Sequence, residues 1–183
     1  MDEFYTRIGD DGYTGLLGEG RVPKHSTRIE AIGAIDEAVA AFGVVRVIAK
    51  APQTDPLLLE IQRDLYHLMT EVASTKDLAS QFSSINSERI EWLETQISMI
   101  SQKVEIPKEF IVPGDSYSGA VMALARTVVR RAERRVERLF SDDVLTNSEI
   151  LRYLNRLSSL CFVLELLENT ESGKSNPTLA KEP

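Results

Sequence analysis

The chain has 183 residues, 43% hydrophobic and 27% charged, which fits one globular domain with a sizeable core. Its apolar runs are too short to span a bilayer, its acidic start Met1-Asp2-Glu3 leads into no apolar signal segment, and its net charge of −7 argues against general affinity for nucleic acid. A single cysteine, Cys161, excludes an internal disulfide framework, so a cytoplasmic protein is expected, with Cys161 as a small core residue.

Five of the ten glycines fall within the first 21 residues, at Gly9, Gly12, Gly15, Gly18 and Gly20. Clustered glycines permit positive φ and close approach of backbone N–H groups to an anion, and a phosphate is the natural guest. Hydroxyls at Thr6 and Thr14 and cations at Arg7, Arg21 and Lys24 would add donors and charge. The alternative is a mobile N-terminal arm. Two standard phosphate loops are excluded. Gly15-Leu16-Leu17-Gly18-Glu19-Gly20-Arg21-Val22 has Walker glycine spacing without the lysine and the hydroxyl, and Gly18-Glu19-Gly20 lacks the third glycine of the dinucleotide fingerprint.

Beyond the arm the pattern predicts five helices. Ser26 or Thr27 caps a helix running to about Ala49, with Thr27 and Glu30 spaced as a capping box. A second runs from about Asp55 to Leu78, carrying Leu58, Ile61, Leu65, Leu68, Met69 and Val72 at helical spacing. A third starts at Asn86 or Ser87 and ends before Pro107. Phe110-Ile111-Val112-Pro113-Gly114 reads as extended, because Pro113 biases Val112 away from helix. Helices from about Ser116 to Phe140 and from about Asn147 to Glu168 complete an all-α five-helix bundle. The polar residues 171–183 are expected to be a disordered tail, leaving 1–170 as a single domain. Neither histidine has metal-ligand spacing; His67 reads as a surface or hydrogen-bonded helix residue.

The fourth helix holds Arg126, Arg130, Arg131, Arg134, Arg135 and Arg138. At about 100° per residue, Val121, Val128, Ala132, Val136 and Leu139 form an apolar arc. Arg131, Arg135 and Arg138 lie to one side of it with Leu124. Arg126, Arg130, Glu133 and Glu137 occupy the other flank, with Arg134 just beyond. The second group reads either as i,i+4 ion pairs on a wet face or as a phosphate-binding edge. Leucines wrap the fifth helix nearly all round, which implies burial by a neighbouring subunit as well as by its own chain. Asn155 and Arg156 sit among them, so each needs a polar partner, structural or ligand.

Four blocks, in this order, carry a resemblance: YTRIGDDGYTGLLGEGRVPKHSTRIEAIGAIDE (residues 5–37), FIVPG (110–114), ARTVVRRAERRVERL (125–139) and YLNRLSSLCFVL (153–164). Together they resemble the PduO-type ATP:cob(I)alamin adenosyltransferases. The resemblance implies a five-helix bundle assembling as a homotrimer, with the active site between adjacent subunits. It also implies the reaction, transfer of the 5′-deoxyadenosyl group of ATP to the cobalt of cob(I)alamin, giving adenosylcobalamin and triphosphate.

Carried over by position, the resemblance places Thr6, Arg7, Gly9, Thr14 and Gly15 around ATP, with Lys24 reaching its phosphates and Arg28 assisting. Arg130, Glu133, Arg134 and Asn155 match nucleotide-site positions, and Arg130 and Glu133 count with Phe110 as catalytic. Phe110 matches the aromatic that packs beneath the corrin ring, and Arg126 matches a residue that pairs across the subunit interface with Asp36. Mg2+ is implied, held mainly by the ATP phosphates. Implied partners are cob(II)alamin or cob(I)alamin and a reductase or adenosylcobalamin-dependent enzyme, with neither nucleic acid nor membrane. The chain departs from the family's usual residues at Gly15, where Ser or Thr is common, at Arg7, where Lys is frequent, and at Asp115, where a second glycine is usual. Asp36-Glu37-Ala38-Val39 also lacks the Leu-Asn that often follows the Asp-Glu pair. A non-catalytic ATP-binding helical regulator is the alternative.

Overall fold

The computed structural model describes residues 5, 7–142 and 144–181. Five helices form the body: α1 (Thr27–Ile48), α2 (Thr54–Ala73), α3 (Ser87–Ser101), α4 (Tyr117–Ser141) and α5 (Glu149–Glu171). α1 packs on α2 and α4, α4 on α5, and α5 on α3. Polar bridges close the ring: Arg89 of α3 reaches Glu60 and Asp64 of α2, and the buried Tyr153 of α5 donates to Asp64 at 2.7 Å. The centre is apolar and mostly aliphatic, with Ile35, Phe42, Leu58, Leu65, Leu93, Met122 and Leu139 fully buried. Truncating one such leucine to alanine costs about 2 to 5 kcal/mol.

Local chemistry explains where the helices begin and end. Asn86 accepts from Arg89 N at the start of α3, and Ser116 accepts from Gly119 N at the start of α4, both as N-caps. The expected Thr27–Glu30 capping box does not form. The helix starts one residue earlier than the box requires: Ser26 is the N-cap, without a side-chain hydrogen bond, so Ile29 takes the third helical position, and Glu30 turns toward Arg135 of α4 at 3.7 Å. α2 stops at Ala73, short of Leu78, because Ser74 turns extended and pairs in parallel with Leu17.

That pairing anchors a small hairpin that the sequence did not reveal. β1 (Tyr13–Gly15) and β2 (Arg21–Pro23) run antiparallel, Thr14 opposite Val22, so the described part of the arm is folded onto the bundle. Gly18, at φ +118, lies where any Cβ would strike Thr75, which is why the turn between the strands needs glycine.

Two further expectations change. α5 is buried by its own chain: α4 and α3 cover its sides, and Glu168 accepts from Lys50 N, Ala51 N and Thr54 Oγ1 in the α1–α2 turn. Its apolar girdle therefore carries no argument for a neighbouring subunit. Part of the tail is also placed, since Leu179 pairs antiparallel with Ile111. Among the described residues no helix is long and apolar enough to cross a membrane.

Candidate functional site

α4 presents two cationic flanks, and they face different neighbours. On one flank, Arg131 bonds Glu37 and Arg135 approaches Glu30, both on α1. Lys24, Gly33 and Ala34 join these residues around a shallow cavity of about 330 Å³. His25, Thr27 and Arg138 extend it past Glu30 and Arg135. The arm delivers Lys24 to this cavity. Its ammonium lies where a side chain on residue 9 would begin, so Gly9 is the residue that allows the approach.

The arm is held by groups that the sequence reading had offered to phosphate. Arg21 donates to both oxygens of Asp11, each at 2.8 Å, and to the carbonyls of Ile8 and Tyr13. Its hydrogen bonds hold the Asp11 carboxyl below the usual carboxylate range. Arg21 is thus a strut of the loop. Arg28 donates to the carbonyl of Ser74 at the end of α2, and burial lowers the pKa of its guanidinium. Arg7 adopts a left-handed φ of 59° and donates to the Tyr5 hydroxyl at 3.2 Å. Thr14 and Gly15 lie in β1; Thr6 lies outside the described residues.

The other flank of α4 faces α5. Asn155 Nδ2 donates to Glu133 Oε1 at 3.1 Å, and Arg156 donates to Asn155 Oδ1 at 3.0 Å and to Glu94 of α3 at 2.9 Å. This relay through three helices gives Asn155 and Arg156 partners, but Asn155 is exposed and Arg156 half-buried, so the burial expected for them from the apolar helix does not occur. It also fixes one carboxylate oxygen of Glu133. Arg130 and Arg134 are exposed and make no hydrogen bond or ion pair with any described residue. The intrahelical ion-pair reading of this flank therefore does not hold, since Glu133 is taken by Asn155 and Glu137 by Ser141.

One helical stripe joins Glu133 to Arg130 and Arg126, about 10 Å along the axis. At the far end Arg126 lines a cavity of about 340 Å³ with Phe110, Ile111 and Phe162. Phe110 is 87% exposed, an unusual position for a phenylalanine and one suited to a flat apolar partner. On α5, one turn past Phe162, Glu165 is 1% exposed, and burial raises its carboxyl to about 7, with Arg126 opposing and Asp115 adding to the rise. Burial likewise pushes the Cys161 thiol up to about 12, which makes it inert core. Arg126 and Asp36 do not meet within one chain: the Arg126 charge acts on Glu165 and Cys161, whereas Asp36 is exposed on α1.

The structure thus brings Glu133 to Asn155, Lys24 to Gly9 and Phe110 to Arg126, but it holds Lys24 and Arg130 on opposite flanks of α4. Sequence reasoning missed Phe162, Glu94 and the tail. Phe162 reads as one more core residue in an apolar helix, and a partner such as Glu94, 62 positions from Arg156, leaves no local pattern.

Residues 4–168 match the cobalamin adenosyltransferase family. The chain is 38% identical over 173 residues to the corrinoid adenosyltransferase PduO of Citrobacter freundii, covering 94% of this chain and 51% of that one. It is 35% identical over 175 residues to the corrinoid adenosyltransferase of Bacillus subtilis, covering 93% of this chain and 89% of that one. It therefore spans about half the length of the first relative and most of the second. Among solved structures it superposes on a variant PduO-type ATP:corrinoid adenosyltransferase from Lactobacillus reuteri complexed with cobalamin and ATP. The TM-score is 0.91 at 27% identity, over 98% of this chain and 97% of that one. A second variant of that enzyme, complexed with ATP, gives a TM-score of 0.89 at 28% identity, over 97% of this chain and all of the other. In sequence along nearly its whole length, and in fold, the chain belongs to the cobalamin adenosyltransferase family.

Proposed function

We infer that the chain catalyses ATP-dependent adenosylation of a corrinoid, in an active site completed between adjacent copies of a homotrimer. One observation carries the assembly reading. The arm with Lys24 lies beside Arg131 and Arg135, whereas the unpaired Arg130 lies on the other flank of α4, so a nucleotide that uses both Lys24 and Arg130 is best served by a second chain. The outer stripe of α1 supports it. Asp36, Val44 and Val47 share one exposed helical edge, with Val44 51% and Val47 86% exposed, an apolar strip beside an acid that a second copy would cover. Arg126 then meets Asp36 of the adjoining copy.

The protein supplies no nucleophile. The reduced cobalt attacks the 5′ carbon of the ribose and triphosphate leaves, so what remains for the chain is alignment and charge. Lys24, Arg130 and Arg134 neutralise the departing triphosphate, the arginines through their planar forks. Arg7, Arg28, Gly9, Thr14 and Gly15 complete the nucleotide's surroundings from the arm side. Mg2+ arrives on the ATP phosphates. The Glu133 oxygen not engaged by Asn155 is the kind of hard ligand that cation prefers, either directly or through its water. Phe110 presents its ring to the lower corrin face, keeping an axial ligand and water from cobalt. The electron comes from a separate reductase in the cytoplasm.

An anaerobic assay with ATP, Mg2+ and chemically reduced cobalamin tests the reading. Adenosylcobalamin and intact triphosphate are expected in equal amounts. ATP at a hundred times its dissociation constant should also stabilise the fold by about 2.7 kcal/mol. Stabilisation without product would leave an ATP-binding regulator.

A further inference from the structure

The segment carrying Phe110 has almost no structure of its own. Between α3 and α4 the chain runs through Pro107 and Pro113 without a helix or hairpin. Among the described residues, the backbone hydrogen bonds made by residues 104–115 are two, and both go to the C-terminal tail. Val112 N donates to the Thr178 carbonyl at 2.8 Å, and Ala180 N donates to the Phe110 carbonyl at 2.7 Å. They flank the Ile111–Leu179 pair, so the tail lies antiparallel along the backbone of Phe110 itself.

The tail is brought there by specific chemistry. Gly173, at φ +78, reverses the chain after α5, with Lys174 N donating to the Asn169 carbonyl at 2.8 Å. Asp115 then clamps the returning strand: its Oδ1 accepts from Thr178 Oγ1 at 2.6 Å and its Oδ2 from Thr178 N at 3.0 Å. Charge-assisted bonds of this kind are about twice as strong as neutral ones. A residue that departs from the usual glycine in the resembling family is thus the anchor of the C-terminus.

We propose that the tail strand Thr178–Ala180 is a strap that fixes the Phe110 backbone, with Asp115 and Thr178 as positioning residues for the corrinoid side of the reaction. This rests on the adenosyltransferase reading and on Phe110 as the aromatic facing the corrin. The ring itself is exposed, so its placement depends on its backbone, and the strap supplies the only backbone restraint seen there among the described residues.

The test compares the full chain with a form ending at Asn176, with Thr178→Val and with Thr178→Ser, measuring KM for cobalamin and for ATP separately. Truncation should raise the cobalamin KM about tenfold, equivalent to about 1.4 kcal/mol, while the ATP KM changes by less than about twofold. Thr178→Val should reproduce part of the loss, and Thr178→Ser, which restores the hydroxyl, should recover it. Amide exchange at Val112, whose N–H bonds the Thr178 carbonyl, should accelerate in the truncated form. Unchanged cobalamin KM, or an equal rise in both KM values, would overturn the strap, as would unchanged exchange. Absence of product from the full chain would instead overturn the adenosyltransferase reading, and the two failures are thereby separated.

Discussion

The two flanks of α4 carry similar charge but differ in how that charge is partnered. Arg131 and Arg135 are matched by Glu37 and Glu30 one helix away, whereas Arg130 and Arg134 point outward without an acidic partner among the described residues. A guanidinium already paired on the surface contributes to stability by at most about 1 kcal/mol. One left unpaired beside a carboxylate fixed by Asn155 does nothing evident for the isolated fold and is available to a ligand. Arginine content therefore locates no site by itself; the candidate site is the flank where arginines lack partners among the described residues.

Replacing one arginine on each flank is the sharpest way to break this comparison. Arg130→Ala should lower turnover by about 10²- to 10³-fold, the scale of losing one electrostatic contact to a transition state, with the thermal midpoint unchanged. Arg131→Ala should alter turnover only a few-fold and cost under about 1 kcal/mol in a denaturant titration. Equal losses of turnover at the two positions would abolish the distinction.

Phe110→Ala probes the opposite end of the same stripe. A loss of adenosylation of at least about tenfold is expected, a barrier increase of about 1.4 kcal/mol. The ATP-induced shift in thermal midpoint should be preserved, because Phe110 lines the cavity shared with Arg126 and not the one beside Lys24. A matching loss of ATP binding would contradict that separation. Asn155→Ala should reduce turnover less, by several-fold, since it releases Glu133 without removing it; one net hydrogen bond is about 1 kcal/mol.

A last effect falls on stability rather than turnover and concerns the buried carboxyl of Glu165. Burial holds Glu165 at about 7 in the folded chain, above its ordinary 4.5. The folded state therefore binds the proton more tightly, and this contribution is complete at pH below about 4.5 and lost as pH rises through about 7. The thermal midpoint should fall between about pH 5 and 8, and Glu165→Gln should flatten that fall. An equally steep fall in the variant would place the titration elsewhere.

Much of the fold was legible because it depends on local rules. Asn86 and Ser116 mark helix starts through caps that involve neighbours three residues away, and the 100° wheel separated the two arginine groups as the structure does. The hairpin was not legible: its strands are three residues each, and one end rests on Ser74, far along the chain. The tail misled for a similar reason. Its polar composition matches disorder, yet two backbone bonds and one carboxylate suffice to place Thr178–Ala180 against the segment at Phe110.

The sequence by itself determined five helices and the family, and it offered the residue types of the candidate site, because periodicity, caps and four ordered motifs are properties of neighbouring residues. Only the tertiary structure decided which arginines are already paired, that Arg21 braces the arm, that Glu133 is held through Asn155 and Arg156 from α3, and that Asp115 anchors the C-terminus. Those outcomes turn on contacts between side chains remote in sequence. No local pattern records such a contact, and its geometry exists only once the helices have packed.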